Sequence, residues 1–435
     1  MTKKFDVIVV GAGPAGSAAA LTAAKNGARV ALLERGLYPG AKNFSGAGLY
    51  DTEMVEKIFP GFAYEAPIER YISRKMLGFI TPDQLFSVAY QDDKKAQAPY
   101  AGFTVLRPQL DKYLAARAVK EGVTLFNETV VTDVIKENGS VKGVVCNGSE
   151  KLMADVVIAC DGVNSFIGKK LGMVKPFQPH QMSLGIKEVI RLPRNVIEDR
   201  FLLKGNEGVA FELVGSASKN VNGGGFIYTN KDTISIGLVA QVEDLENKGY
   251  KPYDMLEEFK RHPAIEPMLR GGVTQEYGGH LIPEGGYDCL AELSGDGVML
   301  CGDAAGFVLV TGYLLLGINF AIESGALAGK VAADAVKAGD TSASFMKAYN
   351  KALEECGMLQ TFKNFRKAPA NAVNNTNLQN VYPEVLCTLM HNLYDVGNKP
   401  IPPVLKVATK TLKDENQKIG GLIKDVKKIG GALIW

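Results

Sequence analysis

The chain has 435 residues, 46% hydrophobic and 22% charged, enough to bury a sizeable core across two intertwined lobes. Its net charge of +2 gives no case for nucleic-acid binding. Six cysteines without a C-x-x-C pair argue against a reactive dithiol or an iron–sulfur cluster in this chain, and four scattered histidines lack metal-ligand spacing.

Val7–Val10 is a continuous apolar run, as a strand covered on both faces requires. Gly11-Ala12-Gly13-Pro14-Ala15-Gly16 follows, then an Ala-rich helix over Ser17–Asn26 stopped by Gly27, then a strand over Arg29–Leu33. In such a fingerprint Gly11 permits the tight turn, Gly13 lets backbone approach a pyrophosphate, and Gly16 lets helix and strand pack closely. The helix N-terminus offers free N–H groups to phosphate. Glu34, 23 positions after Gly11, can accept ribose hydroxyls. The pattern predicts dinucleotide binding, with NAD and FAD both open at this point.

Residues from about Leu37 to Leu106 show no clean period and are rich in turn formers. Leu106–Gly122 reads as an amphipathic helix opening after Pro108. Strands are expected near Thr124–Phe126 and Val130–Lys136, with a hairpin turn at Asn138–Gly139. A buried strand over Asp155–Ala159 runs into Cys160-Asp161-Gly162, which a plain strand-ending turn would also explain. From Ser183 to Val242 the chain alternates strands with Gly/Asn turns, which predicts an antiparallel sheet inserted as a second lobe.

Val298–Leu300 resumes the buried-strand pattern and ends in Cys301-Gly302-Asp303. A carboxylate placed straight after such a strand can reach a polyol, and the fitting polyol is the ribityl chain of FAD, which NAD lacks. Gly317-Ile318-Asn319 opens a helix to about Lys337 whose dipole suits negative charge on a flavin, although Asn319 also reads as a simple cap. Phe307–Gly317 is apolar enough to line a channel toward the flavin, with Tyr313 as its polar tip, or to pack as a buried loop. Beyond Ser344 the chain reads as helices with a loop around Pro369–Asn377. In the tail, Ile419, Leu422, Ile423, Val426, Ile429 and Leu433 fall on one side of a helix and three lysines on the other. That basic amphipathic pattern suits an anionic membrane surface or a partner subunit.

In their order, these three elements resemble the large FAD superfamily of aromatic hydroxylases, geranylgeranyl reductases and electron-transfer-flavoprotein–quinone oxidoreductases. PGAKNFSGAGLY (Pro39–Tyr50), SLGIKEVIRLP (Ser183–Pro193) and YGGHLIPEGGYD (Tyr277–Asp288) are similar to its FixC or EtfC branch over nearly the whole chain. The resemblance implies an α/β fold, with a discontinuous Rossmann-like FAD lobe (1–180 and 270–345), an inserted antiparallel lobe for quinone (181–269) and a helical C-terminal region (346–435). It also implies site roles: Asp303 on the ribityl chain, Glu34 on the adenosine ribose, Arg107 near the pyrophosphate, Val131 at the adenine and Asp161 close to the cofactor. Arg35, Lys42, Ser45 and Gly46 join the expected cofactor shell.

The implied reaction is electron transfer from an electron-transfer flavoprotein of alpha and beta subunits to ubiquinone or menaquinone, with or without bifurcation. A separate small ferredoxin-like [4Fe–4S] subunit would supply the cluster this chain lacks. No catalytic side chain is assigned, because the flavin carries the chemistry. The strand at the very N-terminus leaves no room for a signal peptide, so a cytoplasmic protein, peripheral on the inner face of the cell membrane, is expected. Two rivals are an NAD(P)H-dependent reductase or hydroxylase of a small or isoprenoid substrate, and a non-catalytic FAD-containing assembly subunit. Against the first, no second strand-linked GxGxxG is present.

Overall fold

A computed structural model describes residues 4–43, 46–50, 52–97, 102–311, 314–374, 376–397, 400–415, 417 and 421. Ser45, Tyr313 and nearly all of the tail Ile419–Trp435 lie outside the described residues.

The apolar strands of the first lobe form a sheet because each is shielded on both faces. Its main path is β16 (Ser294–Gly295), β17 (Val298–Leu300), β10 (Glu150–Ala159), β1 (Lys4–Val10), β2 (Val30–Leu33) and β7 (Thr124–Phe126). From β17 to β7 the strands are parallel, and β8 (Val131–Glu137) and β9 (Ser140–Cys146) extend β10 as an antiparallel hairpin. The turn at Asn138 and Gly139 has both residues at positive φ, as a two-residue hairpin demands.

Two Ala- and Gly-rich helices cover one face, Pro14–Lys25 and Ile318–Ala338. Their small residues have a geometric cause. A Cβ on Gly325 would stand 2.1 Å from the Ala15 carbonyl oxygen, and one on Gly329 would stand 2.2 Å from that of Ala19. The helix that begins at Ile318 is thereby clamped against the helix that follows the glycine fingerprint.

The second sheet runs β15 (Val273–Pro283), β11 (Met182–Arg191), β14 (Thr233–Gln241), β13 (Gly223–Thr229), β12 (Glu207–Gly215), β4 (Ile68–Ile80), β6 (Phe103–Val105) and β3 (Ala47–Leu49), with β5 (Leu85–Gln91) on β4. It is antiparallel except where β12 meets β4. The sheet thus takes strands from 47–105 and 273–283 besides those of the 181–269 segment. The stretch without a period hides a 13-residue strand, β4, because Arg70 and Lys75 occupy inward positions. Arg70 is 1% exposed and is satisfied by carbonyl oxygens of Asn230 (2.7 Å), Glu207 (3.0 Å) and Gly205 (3.2 Å). A second core of Ile190, Phe211, Ile236, Leu256 and Phe259 fills the far side.

The expected loop around Pro369–Asn377 is corrected to two short helices, Ala368–Asn374 and Asn377–Asn380. Pro369 is tolerated because the first turn of a helix needs no N–H from it. Leu309–Val310 and Leu315–Leu316 pair as β18 and β19 within the apolar segment. Among the described residues no helix is long and apolar enough to cross a membrane.

Candidate functional site

A cavity of about 860 Å³ runs between the two sheets. At one end stands the glycine fingerprint, and its glycines are dictated by distance. A Cβ on Gly11, at φ +96°, would fall 2.3 Å from the Cys160 carbonyl oxygen, and one on Gly16 would fall 1.8 Å from that of Gly11. At Gly13 the space is open instead, the nearest group being the Arg107 guanidinium at 3.9 Å. The helix Pro14–Lys25 begins there with no side-chain cap, so its first amides are free for an anion.

Arg107 is aimed by Asp111, which accepts from its Nε at 2.9 Å and its Nη2 at 3.0 Å. Asn43 donates to the same carboxylate at 2.7 Å. Glu34 accepts from the Ala12 amide at 3.1 Å and the Gly36 amide at 2.7 Å, which fixes its carboxylate at the end of β2 and leaves lone pairs for further donors. Asp161 accepts from the Ile167 amide at 3.0 Å through one oxygen, while its buried Oδ1 has no hydrogen-bond partner among the described residues. Burial raises the Asp303 carboxyl above its ordinary range, with His280 and Arg107 opposing the rise.

Of the residues expected around a cofactor, Gly11, Gly13, Pro14, Ala15, Glu34, Arg35, Lys42, Gly46, Arg107, Val131, Asp161, Asp303, Gly317 and Ile318 all line this one cavity. Gly16, Gly302 and Asn319 stand behind its wall. Gly302, at φ +58°, sits where a Cβ would press Ala15 and Ala321 at 3.1 and 3.3 Å. Asn319 is buried inside the helix, and the cap position belongs to Gly317. The donor set fits FAD: free helix amides and Arg107 for a pyrophosphate, Glu34 for a ribose, and Asp303 with the unsatisfied Asp161 oxygen for hydroxyl donors between them.

The far end is built from side chains on the second sheet, and most were not anticipated individually. Lys187 lies on the cavity face of β11 and donates to the Gly46 carbonyl oxygen at 2.9 Å. Burial holds its ammonium down at about 7, with Arg107 adding to the effect. Its neighbour Glu188 points the other way and accepts from Lys260 at 3.0 Å and Thr274 at 2.8 Å. The GIKE segment therefore alternates one cavity residue with one structural residue. His280 and Glu284 follow on β15 and just past its end. Glu284 accepts from the Ser183 hydroxyl at 2.6 Å, and burial pushes it up to about 7. Glu212, Phe226 and Tyr228 complete the floor.

Residues 6–163 match the family model for FAD dependent oxidoreductases, and residues 182–282 match one described as ETF-QO, ubiquinone-binding. The chain is 40% identical to the probable electron transfer flavoprotein-quinone oxidoreductase YdiS of Escherichia coli, over 99% of both chains. It is 40% identical to the protein FixC of Salmonella typhi, over 93% of this chain and 94% of that one. FixC of Azorhizobium caulinodans is 37% identical over 92% of each. Among solved structures, a geranylgeranyl bacteriochlorophyll reductase-like protein of Thermoplasma acidophilum superposes with a TM-score of 0.73 at 21% identity, covering 99% of this chain and all of that one. The myxobacterial chondrochloren halogenase CndH superposes at 0.65 and 17% identity, over 99% and 97% of the two chains, a likeness of fold alone. The chain is a member of the FixC family of FAD-dependent oxidoreductases.

Proposed function

We propose that this protein takes electrons from an electron-transfer flavoprotein of alpha and beta subunits, directly or through a small ferredoxin-like [4Fe–4S] subunit, and delivers them to ubiquinone or menaquinone. The observation that carries the reading is the continuity of one cavity. It joins the fingerprint end to a sheet floor drawn largely from the segment that matches the quinone-binding family model. When bound, FAD supplies the bridge between one-electron donors and a two-electron acceptor.

The chain's own residues bind, orient and exclude water. The first amides of Pro14–Lys25 and the Arg107 guanidinium hold the pyrophosphate, Glu34 the adenosine ribose, and Asp303 the ribityl hydroxyls. The main chain at Val131 would meet the adenine, Arg35 and Lys42 would flank the phosphates, and Gly46 would close the ring end. The free N–H groups beyond Gly317 and Ile318 face negative charge on the reduced ring. As functional units, the FAD lobe takes 1–180 and 270–345, and the quinone lobe takes 181–269 with the flanking strands that complete its sheet. Residues 346–435 serve contact with partner or membrane. Exposed Ile401, just before the helix Val404–Asp414, and Val404 and Leu405 at its start support contact with a partner or a membrane surface.

The test is anaerobic. The FAD-loaded chain is mixed with reduced electron-transfer flavoprotein and then with a short-chain ubiquinone. The expected result is flavin bleaching in the first step and recovery of the oxidised spectrum in the second. Rapid bleaching by NADPH alone, with no response to the flavoprotein, would overturn the reading.

A further inference from the structure

The cavity floor contains two carboxyls whose positions a cofactor does not explain: Glu284, which is held by the Ser183 hydroxyl, and Glu212. Glu212 is half-buried on β12, faces the cavity, and makes no side-chain hydrogen bond or ion pair among the described residues. A carboxyl drawn out of water without a partner favours its neutral, protonated form. The register fixes where it stands. Glu212 pairs with Phe226, Phe226 with Gly237, and Gly237 with Lys187, so one cross-strand row connects it to the lysine that holds Gly46. Three strand steps of ~4.8 Å put the two about 14 Å apart.

Between them stands a pair of aromatic side chains. Phe226 and Tyr228 are stacked, with centroids 5.0 Å apart and planes 25° from parallel. Gly237 leaves room for the Phe226 ring, since a Cβ there would come within 2.5 Å of it. An apolar ring packed against this pair would have Glu212 on one side and the Lys187 end of the cavity on the other.

The groups facing Glu212 are Lys75 from β4, Tyr50 after β3 and Tyr228 from β13. Lys75 lies over the Tyr50 ring, its Nζ 4.1 Å from the centroid. It pairs across the sheet with Tyr90 of the edge strand β5, which is 62% exposed, so solvent is one strand away.

Resting on the quinone reading above, we infer that Glu212 is the acid that protonates a carbonyl oxygen of the quinone, and that Lys75 passes it a replacement proton from water. The balance closes. Two quinol O–H bonds form. One takes the proton released as the Glu212 O–H breaks; the other would take the proton that accompanies the two electrons as an N–H of the bound reduced flavin breaks, and the Glu212 carboxylate is reprotonated from bulk. Burial supports the role by raising the Glu212 carboxyl to about 7, with Lys75 pulling against it, so the proton is held yet available near neutrality.

The test combines a spectroscopic titration with single-turnover kinetics on the FAD-loaded chain. Infrared difference spectra of wild type should show a carboxylic-acid band that disappears as pH rises through about 7 and that E212Q lacks. Reoxidation of the reduced flavin by a short-chain quinone should slow about 100-fold in E212Q, with the flavin spectrum intact, and E212D should recover part of the rate. In wild type that rate should fall above about pH 7. In K75M the falling limb should move to higher pH, because the cation that lowers Glu212 is gone. A merely structural Glu212 would leave these limbs in place.

An E212Q protein that reoxidises at the wild-type rate with the same pH limb overturns this proposal alone. So does a Glu212 that is ionised throughout the titration. A wild type whose reduced flavin ignores quinone overturns the quinone reading and this proposal with it.

Discussion

The two ends of the cavity are made differently. The fingerprint end is backbone: free amides of a helix start, glycines forced by contacts of 1.8 to 2.3 Å, and a carboxylate locked by two main-chain N–H groups. The floor end is side chain: Lys187, His280 and Glu212 on three strands and Glu284 just past the end of one of them, each moved by burial from its ordinary titration range. Backbone sites tolerate almost no change in residue size, whereas side-chain sites tolerate change in shape and respond to pH. Each end should therefore break in its own way.

The largest effect is expected at the backbone end. In Gly16→Ala the new methyl meets the Gly11 carbonyl oxygen, and the helix must lift from β1. Overpacking of this kind costs about 3 kcal/mol, to be read from urea denaturation of the flavin-free protein. An unchanged midpoint would mean that helix and strand are not held as tightly as described.

On the far face of the sheet, Lys260→Met strips the Glu188 carboxylate, 4% exposed, of its ammonium partner while leaving Thr274. A loss of about 2 kcal/mol of stability is expected, with FAD affinity untouched. A loss of flavin instead would show that the two faces of β11 are not independent.

Why one end could be read and the other could not follows from these same residues. The fingerprint is local: its spacing is a consequence of one turn and one helix start, so Gly11, Gly13, Gly16 and Glu34 stand in a short stretch of sequence. Asp161 and Asp303 were legible because each directly follows a buried apolar strand, and β10 and β17 are parallel neighbours. The floor has no such local signature. Glu212 and Lys187 share a row only because β12, β13, β14 and β11 pair in that order, which no single segment encodes. The segment 47–105 hid its strands because inward Arg70 and Lys75 erase the alternation that marks a half-buried strand. GIKE and IPEGG were singled out as segments, yet only the pleat of β11 separates cavity Lys187 from structural Glu188.

Asp303→Ala tests the join between the ends. Removing an acceptor for the sugar-alcohol chain should weaken FAD retention about tenfold, ~1.4 kcal/mol, by flavin release during ultrafiltration. Full occupancy and unaltered affinity would refute the role given to this carboxylate.

The last effect concerns Glu284, and its sign follows from burial. Its carboxyl is raised from 4.5 to about 7, so the folded protein holds a proton that the unfolded chain releases. That contribution is complete below about pH 4.5 and drains away as pH rises through about 7. Glu212 adds a slope of the same sign over a similar range, and Lys187, lowered to about 7, adds the opposite slope above it. Stability of the flavin-free protein should therefore decline from about pH 5 to 7 and recover on the alkaline side. In Glu284→Gln the acid-side decline should shrink and the alkaline recovery should remain. If the variant titrates like wild type, the Ser183 hydroxyl bond stabilises an already ionised Glu284, and the floor is less shielded from water than its burial implies.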